Sequence, residues 1–427
     1  MRFLPSLLVL LSAVACSSSK DGGHASATQK AAASVTAAPV KAAEPVATAP
    51  APEVAGDAER GEKLVLQFEC NRCHDGTGHP AMALEKHCTH CHEDIMTGRF
   101  GAGTPKIAEW KRSVTPYRYA PSLEGAGKRF RREWLVRFLE NPVDLRPHLA
   151  ASMPRLAISE SDARDLAAYL TRDAKTAKSD ALAEGGSIRR GRELVEQKGC
   201  GGCHAFSGER PLPSTPNPAV GTDAQKKAVE LAPDLRHVRE RFRRDTLVSW
   251  LLAPASLKAD TLMPTHGFTD AEAKDVATYL VSVPLEAPPA VAPRAKLPLL
   301  TRPVTYAEVE KQVLSITCRH CHGNPDIAGG DGGPGNTGGF GFAPRSLDLS
   351  TYRSAAAGLV KDDGERHSLF EKTADGTPLL VAALRARQSE EAGAPVPGLR
   401  GMPLGLPAVS AEAVQLVESW IAQGRPQ

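Results

Sequence analysis

Residues 190–204 read RGRELVEQKGCGGCH, and residues 60–74 read RGEKLVLQFECNRCH. The two stretches align without a gap, from the Arg-Gly pair to the final histidine. Two further blocks repeat in the same order. APSLEGAGKRFRREWLVRFLENP (120–142) aligns with APDLRHVRERFRRDTLVSWLLAP (232–254), and MPRLAISESDARDLAAYL (153–170) aligns with MPTHGFTDAEAKDVATYL (263–280). Aligned blocks in one order mean one fold used twice. A third stretch, MPLGLPAVSAEAVQLVESWI (402–421), keeps the frame loosely.

The local pattern is helical. Leu64, Val65 and Phe68 mark a helix leading into Cys70, and Leu135, Phe138 and Leu139 mark another that Pro142 ends. Ser159 with Asp162 and Thr269 with Glu272 have the spacing of capping boxes. Behind them Leu166, Tyr169 and Leu170, and Val276, Tyr279 and Leu280, share one face. No alternating strand pattern with hairpin turns is visible, so the class predicted is all-α. Polar or proline-rich breaks divide the body into units 57–175, 186–284 and 302–427, with linkers 176–185 and 285–301.

Eight of nine cysteines fall in four C-x-x-C-H motifs: Cys70, Cys73 and His74; Cys88, Cys91 and His92; Cys200, Cys203 and His204; Cys318, Cys321 and His322. C-x-x-C pairs also bind zinc or act as redox dithiols, but neither use needs histidine next. The pattern is that of c-type haem attachment. Each sulfur forms a thioether with a porphyrin vinyl group, and the adjacent imidazole ligates the iron. Four motifs predict four covalently attached haem c groups.

A sixth iron ligand is offered by Met153, Met263 and Met402, each in a Met-Pro pair ahead of the last helix of its unit. Thioether sulfur suits haem iron, and His/Met ligation raises the reduction potential. The motif at Cys88 has no Met-Pro pair of its own. His79, His87, His148, Met82 and Met96 are the candidates. His79 is preferred, because Met96 and His87 lie too near their own attachment site in sequence. A vacant or water-bound iron is the alternative. That Met153 serves the first rather than the second motif follows from the repeat register.

The first two units resemble class I cytochrome c domains: lead-in helix, C-x-x-C-H, an AP-x-L segment, methionine, terminal helix. The resemblance implies that Pro121 and Pro233 orient His74 and His204 through their carbonyls. It also implies that Gly61 with Tyr169, and Gly191 with Tyr279, form the crossing of first and last helices. The third unit resembles a variant cytochrome c domain with a glycine-rich loop, GGDGGPGNTGGFGF (329–342). That loop lacks the flanking strand and helix of a phosphate site.

At the N-terminus, Arg2 precedes an apolar run from Phe3 to Val14, too short to span a bilayer. SAVAC (12–16) resembles a bacterial lipoprotein box, which implies removal of residues 1–15 and lipidation of Cys16. An ordinary signal peptidase site after Ala15 is the other reading. Ser17 after the cysteine favours the outer membrane. Residues 16–56 are almost all Ala, Pro, Ser, Thr, Val, Lys and Glu, a composition that reads as a disordered tether.

A net charge of +3 gives no reason to expect nucleic acid. GKRFRRE and RERFRRD read as solvated helix faces. No catalytic triad or carboxylate pair is visible, and no small-molecule substrate is predicted. The expectation is a periplasmic, lipid-anchored electron carrier working between redox proteins. The alternatives are a peroxidase or reductase using the Cys88 haem, and a cytochrome subunit of a dehydrogenase or oxidase complex.

Overall fold

In this computed structural model the described residues are 55–101, 104–114, 117–174, 181–182, 184–213, 221–283, 291–324 and 333–427. The leader, Cys16 and all of the tether before residue 55 lie outside them. Among the described residues 47% are helical. Among the described residues no helix is long and apolar enough to cross a membrane.

The first repeat carries α1 (Ala58–Gln67), α2 (Cys88–Thr97), α3 (Thr104–Val114), α4 (Arg132–Glu140) and α5 (Glu160–Leu170). Leu64 and Val65 bury the inner face of α1 against Leu166 and Tyr169 of α5. A fully buried Leu or Val side chain contributes about 2 kcal/mol. Gly61 permits the crossing: a Cβ there would meet the Asp165 carbonyl and stand 2.8 Å from Tyr169 Cβ. The predicted Ser159–Asp162 capping box opens α5. The helices are also tied at their ends, where the Asp57 N–H donates to Asp165 Oδ1 at 2.7 Å.

The second repeat reproduces this with α6 (Ile188–Gln197), α7 (Asp223–Leu231), α8 (Arg244–Leu252) and α9 (Asp270–Ser282). A Cβ on Gly191 would stand 2.6 Å from Tyr279 Cβ, and the Ser187 N–H donates to Asp275 Oδ1 at 2.7 Å. The Thr269–Glu272 capping box is present.

The repeats dock on each other through equivalent residues. Phe130 and Phe242, matched in the alignment, pair as an antiparallel bridge. The Arg131 N–H donates to Arg241 O at 2.9 Å, and the Arg243 N–H to Arg129 O at 2.7 Å. Each bond is the other's mate under a local two-fold. The basic segments here are therefore not solvated faces as expected from sequence. Arg129 and Arg241 are buried, because the apolar positions between the charges draw the segments into the contact.

The third region opens with α10 (Tyr306–Val309), which runs into a π-helical stretch, Glu310–Cys318. A two-residue hairpin follows, β1 (Leu359–Val360) with β2 (Arg366–His367), then α11 (Leu379–Glu391) and α12 (Ala411–Ala422). The hairpin and α11 carried no clear sequence signal. Val309 and Val313 pack on Val417 and Trp420. The described part of the proline-rich stretch is no free linker: Leu300 N–H donates to Ser419 Oγ at 2.9 Å, and Arg294 binds Ala408 O at 3.1 Å and Val409 O at 2.9 Å. The glycine-rich loop reaches the first repeat, where the Phe340 N–H donates to Glu69 Oε2 at 3.2 Å and Gly341 lies against the Phe68 ring.

Candidate functional site

The first and third motifs are built alike. A single residue in left-handed conformation, Glu69 (φ 50°) or Gly199 (φ 68°), ends the lead-in helix and starts a 3-10 turn at the first cysteine. The N–H of His74 closes this turn on Cys70 O at 3.0 Å, and that of His204 on Cys200 O at 2.9 Å. Both sulfurs and the imidazole thereby issue from one turn. His74 Nδ1 is 2.7 Å from Pro121 O, and His204 Nδ1 is 2.7 Å from Pro233 O. With Nδ1–H donated to a carbonyl, Nε2 keeps its lone pair for a metal. Burial lowers the pKa of both histidines and so favours the neutral, ligating form.

The second motif sits at the start of α2. His87 caps the helix, its Nδ1 accepting from the His90 N–H at 3.3 Å. His92 Nδ1 is 2.8 Å from Tyr117 O, so Tyr117 fills the place that proline carbonyls fill elsewhere. Burial, with His320 next, lowers His92 to about 4. In the fourth motif His322 Nδ1 lies against the Gly335 backbone without a well-formed hydrogen bond. Burial lowers His322 to about 4.

None of the eight motif cysteines is in a disulfide. Burial pushes Cys70 and Cys318 to about 12 and Cys200 and Cys91 to about 11. Cys73 differs: Cys88 and then Tyr117 hydrogen-bond it and hold its pKa down against burial. The Tyr117 phenol, 3.6 Å from Cys73 Sγ, is buried beside thiols of three motifs, Cys73, Cys88 and Cys321.

Met153 packs on the same core as Cys70, and Met263 on the same core as Cys200. Met263 Sδ accepts from Trp250 Nε1–H at 3.1 Å. The aligned residue in the first repeat is Phe138, which has no such donor. The Met402 N–H is bonded to Ala383 O at 2.9 Å. His79 is not brought to His92. It lies at the α1–α5 crossing, Nε2 3.5 Å from Tyr169 OH and 3.9 Å from Glu62 Oε1, because the glycines around it fold the loop back onto α5.

Buried arginine charge also collects here. Arg146 lies near enough to His74, and Arg241 to His204, to depress those histidines. Burial lowers Arg241 to about 9 and Arg146 and Arg129 to about 10. Arginine nevertheless stays protonated. Arg146 donates to Leu231 O at 3.0 Å, and Arg241 Nε has no hydrogen-bond partner. Buried cations of this kind call for an anion. Haem carries two carboxylates, so thiol pairs, neutral imidazoles and buried arginines together fit the group. Sequence reasoning passed over Arg146 and Arg241, whose signal was only the contrast of charge with flanking apolar residues. Asp75, His87 and His90 also converge, but the two imidazoles stack at 3.6 Å with planes 7° apart. No single ion lies in both ring planes.

Residues 188–284 match the family model for cytochrome c. That stretch is a cytochrome c domain, which supports a c-type cytochrome with covalently bound haem c and a role in electron transfer. No curated protein and no solved structure matches the chain.

Proposed function

We propose that the chain is a lipid-anchored, tetrahaem c-type cytochrome of three cytochrome c-like domains that passes single electrons between protein partners. The observation that carries this reading is the same hold on three motif histidines: Nδ1 to a backbone carbonyl at 2.7, 2.7 and 2.8 Å for His74, His204 and His92. When bound, haem supplies reversible one-electron chemistry at iron. The protein's part is to hold each group and exclude water. His74, His92, His204 and His322 would ligate iron from one side, and Met153, Met263 and Met402 from the other at three sites. Arg146 and Arg241 would neutralise carboxylates, stabilising the cofactor in a buried setting. Cys73 and Cys88 are hydrogen-bonded neighbours, so porphyrin edges joined to them would be adjacent.

Residues 1–15 would direct export and Cys16 would carry the lipid, placing the body on the periplasmic side of the outer membrane. The intact mass of the purified protein under denaturing conditions is expected to exceed the polypeptide mass by four haems, with a positive haem stain. A colourless product, or metal removed by a chelator, refutes the reading. Reduced protein that binds carbon monoxide at one haem would favour an enzyme over a carrier. Co-purification with a larger complex would make it a subunit.

A further inference from the structure

The methionine register assigns a sixth ligand to three of the four irons and leaves the one at Cys88, Cys91 and His92 without. Of the candidates in its own repeat, His148 keeps a buried Nε2 with no hydrogen-bond partner, and three others are poorly placed. His79 is at the α1–α5 crossing, and His87 commits Nδ1 to the cap of α2 while its ring stacks on His90. Met96 follows His92 by one turn on the same helix, so it shares that histidine's side.

The third region brings a different candidate. His320 lies between the two cysteines of the fourth motif, and its ring centre is 5.9 Å from that of His92, with planes tilted by 55°. Two imidazoles sharing one metal at about 2 Å each stand with ring centres roughly 6 Å apart. The tilt means that the two rings are not stacked face to face. His92 has committed Nδ1 to Tyr117 O, which leaves Nε2 for the metal. The geometry points to His320 as the second axial ligand of the iron held by Cys88, Cys91 and His92. This rests on the reading that the second motif carries haem.

Two consequences follow. The site becomes bis-imidazole and six-coordinate, with no open position for a substrate. It also lacks the thioether that raises potential, so it is the low-potential member of the four. Because His320 is flanked by Cys318 and Cys321, one short loop would touch the second iron and carry the fourth haem, a direct covalent path between two centres.

The test uses the full-length holoprotein. Near-infrared magnetic circular dichroism of the oxidised wild type is expected to show one bis-imidazole band beside His/Met bands; a spectrum with His/Met bands alone overturns the proposal without any variant. His320→Ala should keep four haems by intact mass while one of four becomes high-spin and binds carbon monoxide when reduced. His320→Met should restore the six-coordinate state and raise that haem's potential. Four haems with unchanged spectra in His320→Ala, or the same loss produced by His148→Ala instead, overturn the assignment of His320. Three haems in the wild type, with none on the Cys88–Cys91 peptide, refute the underlying haem reading rather than the ligand.

Discussion

The second repeat and the third region both lead a helix into C-x-x-C-H and close with a helix packed across it, yet they make that contact by opposite means. In the repeat, Gly191 lets the backbone of α6 sink against Asp275 and Tyr279. In the third region the contact positions are Val309 and Val417, and the space is filled by aromatic rings. Tyr306, Tyr352 and Phe370 surround Trp420 with centroids 5.6 to 6.3 Å away. The histidine hold differs in step: a proline carbonyl 2.7 Å from His204, a glycine backbone against His322. Close backbone approach thus serves the helix crossing in one and the motif histidine in the other.

The largest effect should come from removing the aromatic solution. Trp420→Ala empties the centre of the third core and is expected to cost about 4 kcal/mol, read as a lower urea midpoint. On the four-haem proposal, spectral changes should be confined to the haem at Cys318 and Cys321; an equal response at Cys200 and Cys203 would mean that the two regions are not separate solutions. Next, Gly191→Ala sets a Cβ against the Asp275 carbonyl. Alanine favours helix by about 1 kcal/mol, but overpacking against backbone should cost about 3 kcal/mol. An unchanged midpoint would mean the crossing tolerates a side chain and the contrast with Val309 is empty.

The smallest effect concerns a charge cluster particular to the third region. His367, between Asp363 and Glu371, has its pKa raised by those carboxylates. A group whose folded pKa is raised gives stability that is full below its unfolded value, about 6.5. That stability fades as pH rises through the folded value. His367→Gln should therefore remove a mild stability loss as pH rises above about 6.5. A pH profile unchanged by the substitution breaks this point.

The parts that follow from covalent spacing were readable in advance. The four motifs and the capping boxes at Ser159 and Thr269 depend on residues close in sequence or matched by the repeat, while the Gly61 and Gly191 crossings were implied by the resemblance to cytochrome c domains. What could not be read depends on how distant segments meet. The rings of His92 and His320 approach across 228 positions (320 − 92) with no periodicity to announce it. The RFRR segments read as wet because charge outweighs one phenylalanine in a local count. In the structure their backbones pair and carry Arg129 and Arg241 inward. His79 illustrates the converse: plausible by proximity in sequence, but drawn to Tyr169 by its glycine-rich loop.

The Phe130–Phe242 pairing has the form that two separate copies of one unit would adopt in a symmetric dimer. On one chain that association no longer depends on dilution, since the covalent connection fixes a high effective concentration of each copy near the other. The interface can then stay closed at any protein level in the cell. Each half is left free to diverge, and the first has done so by accommodating a whole additional motif between residues 75 and 119.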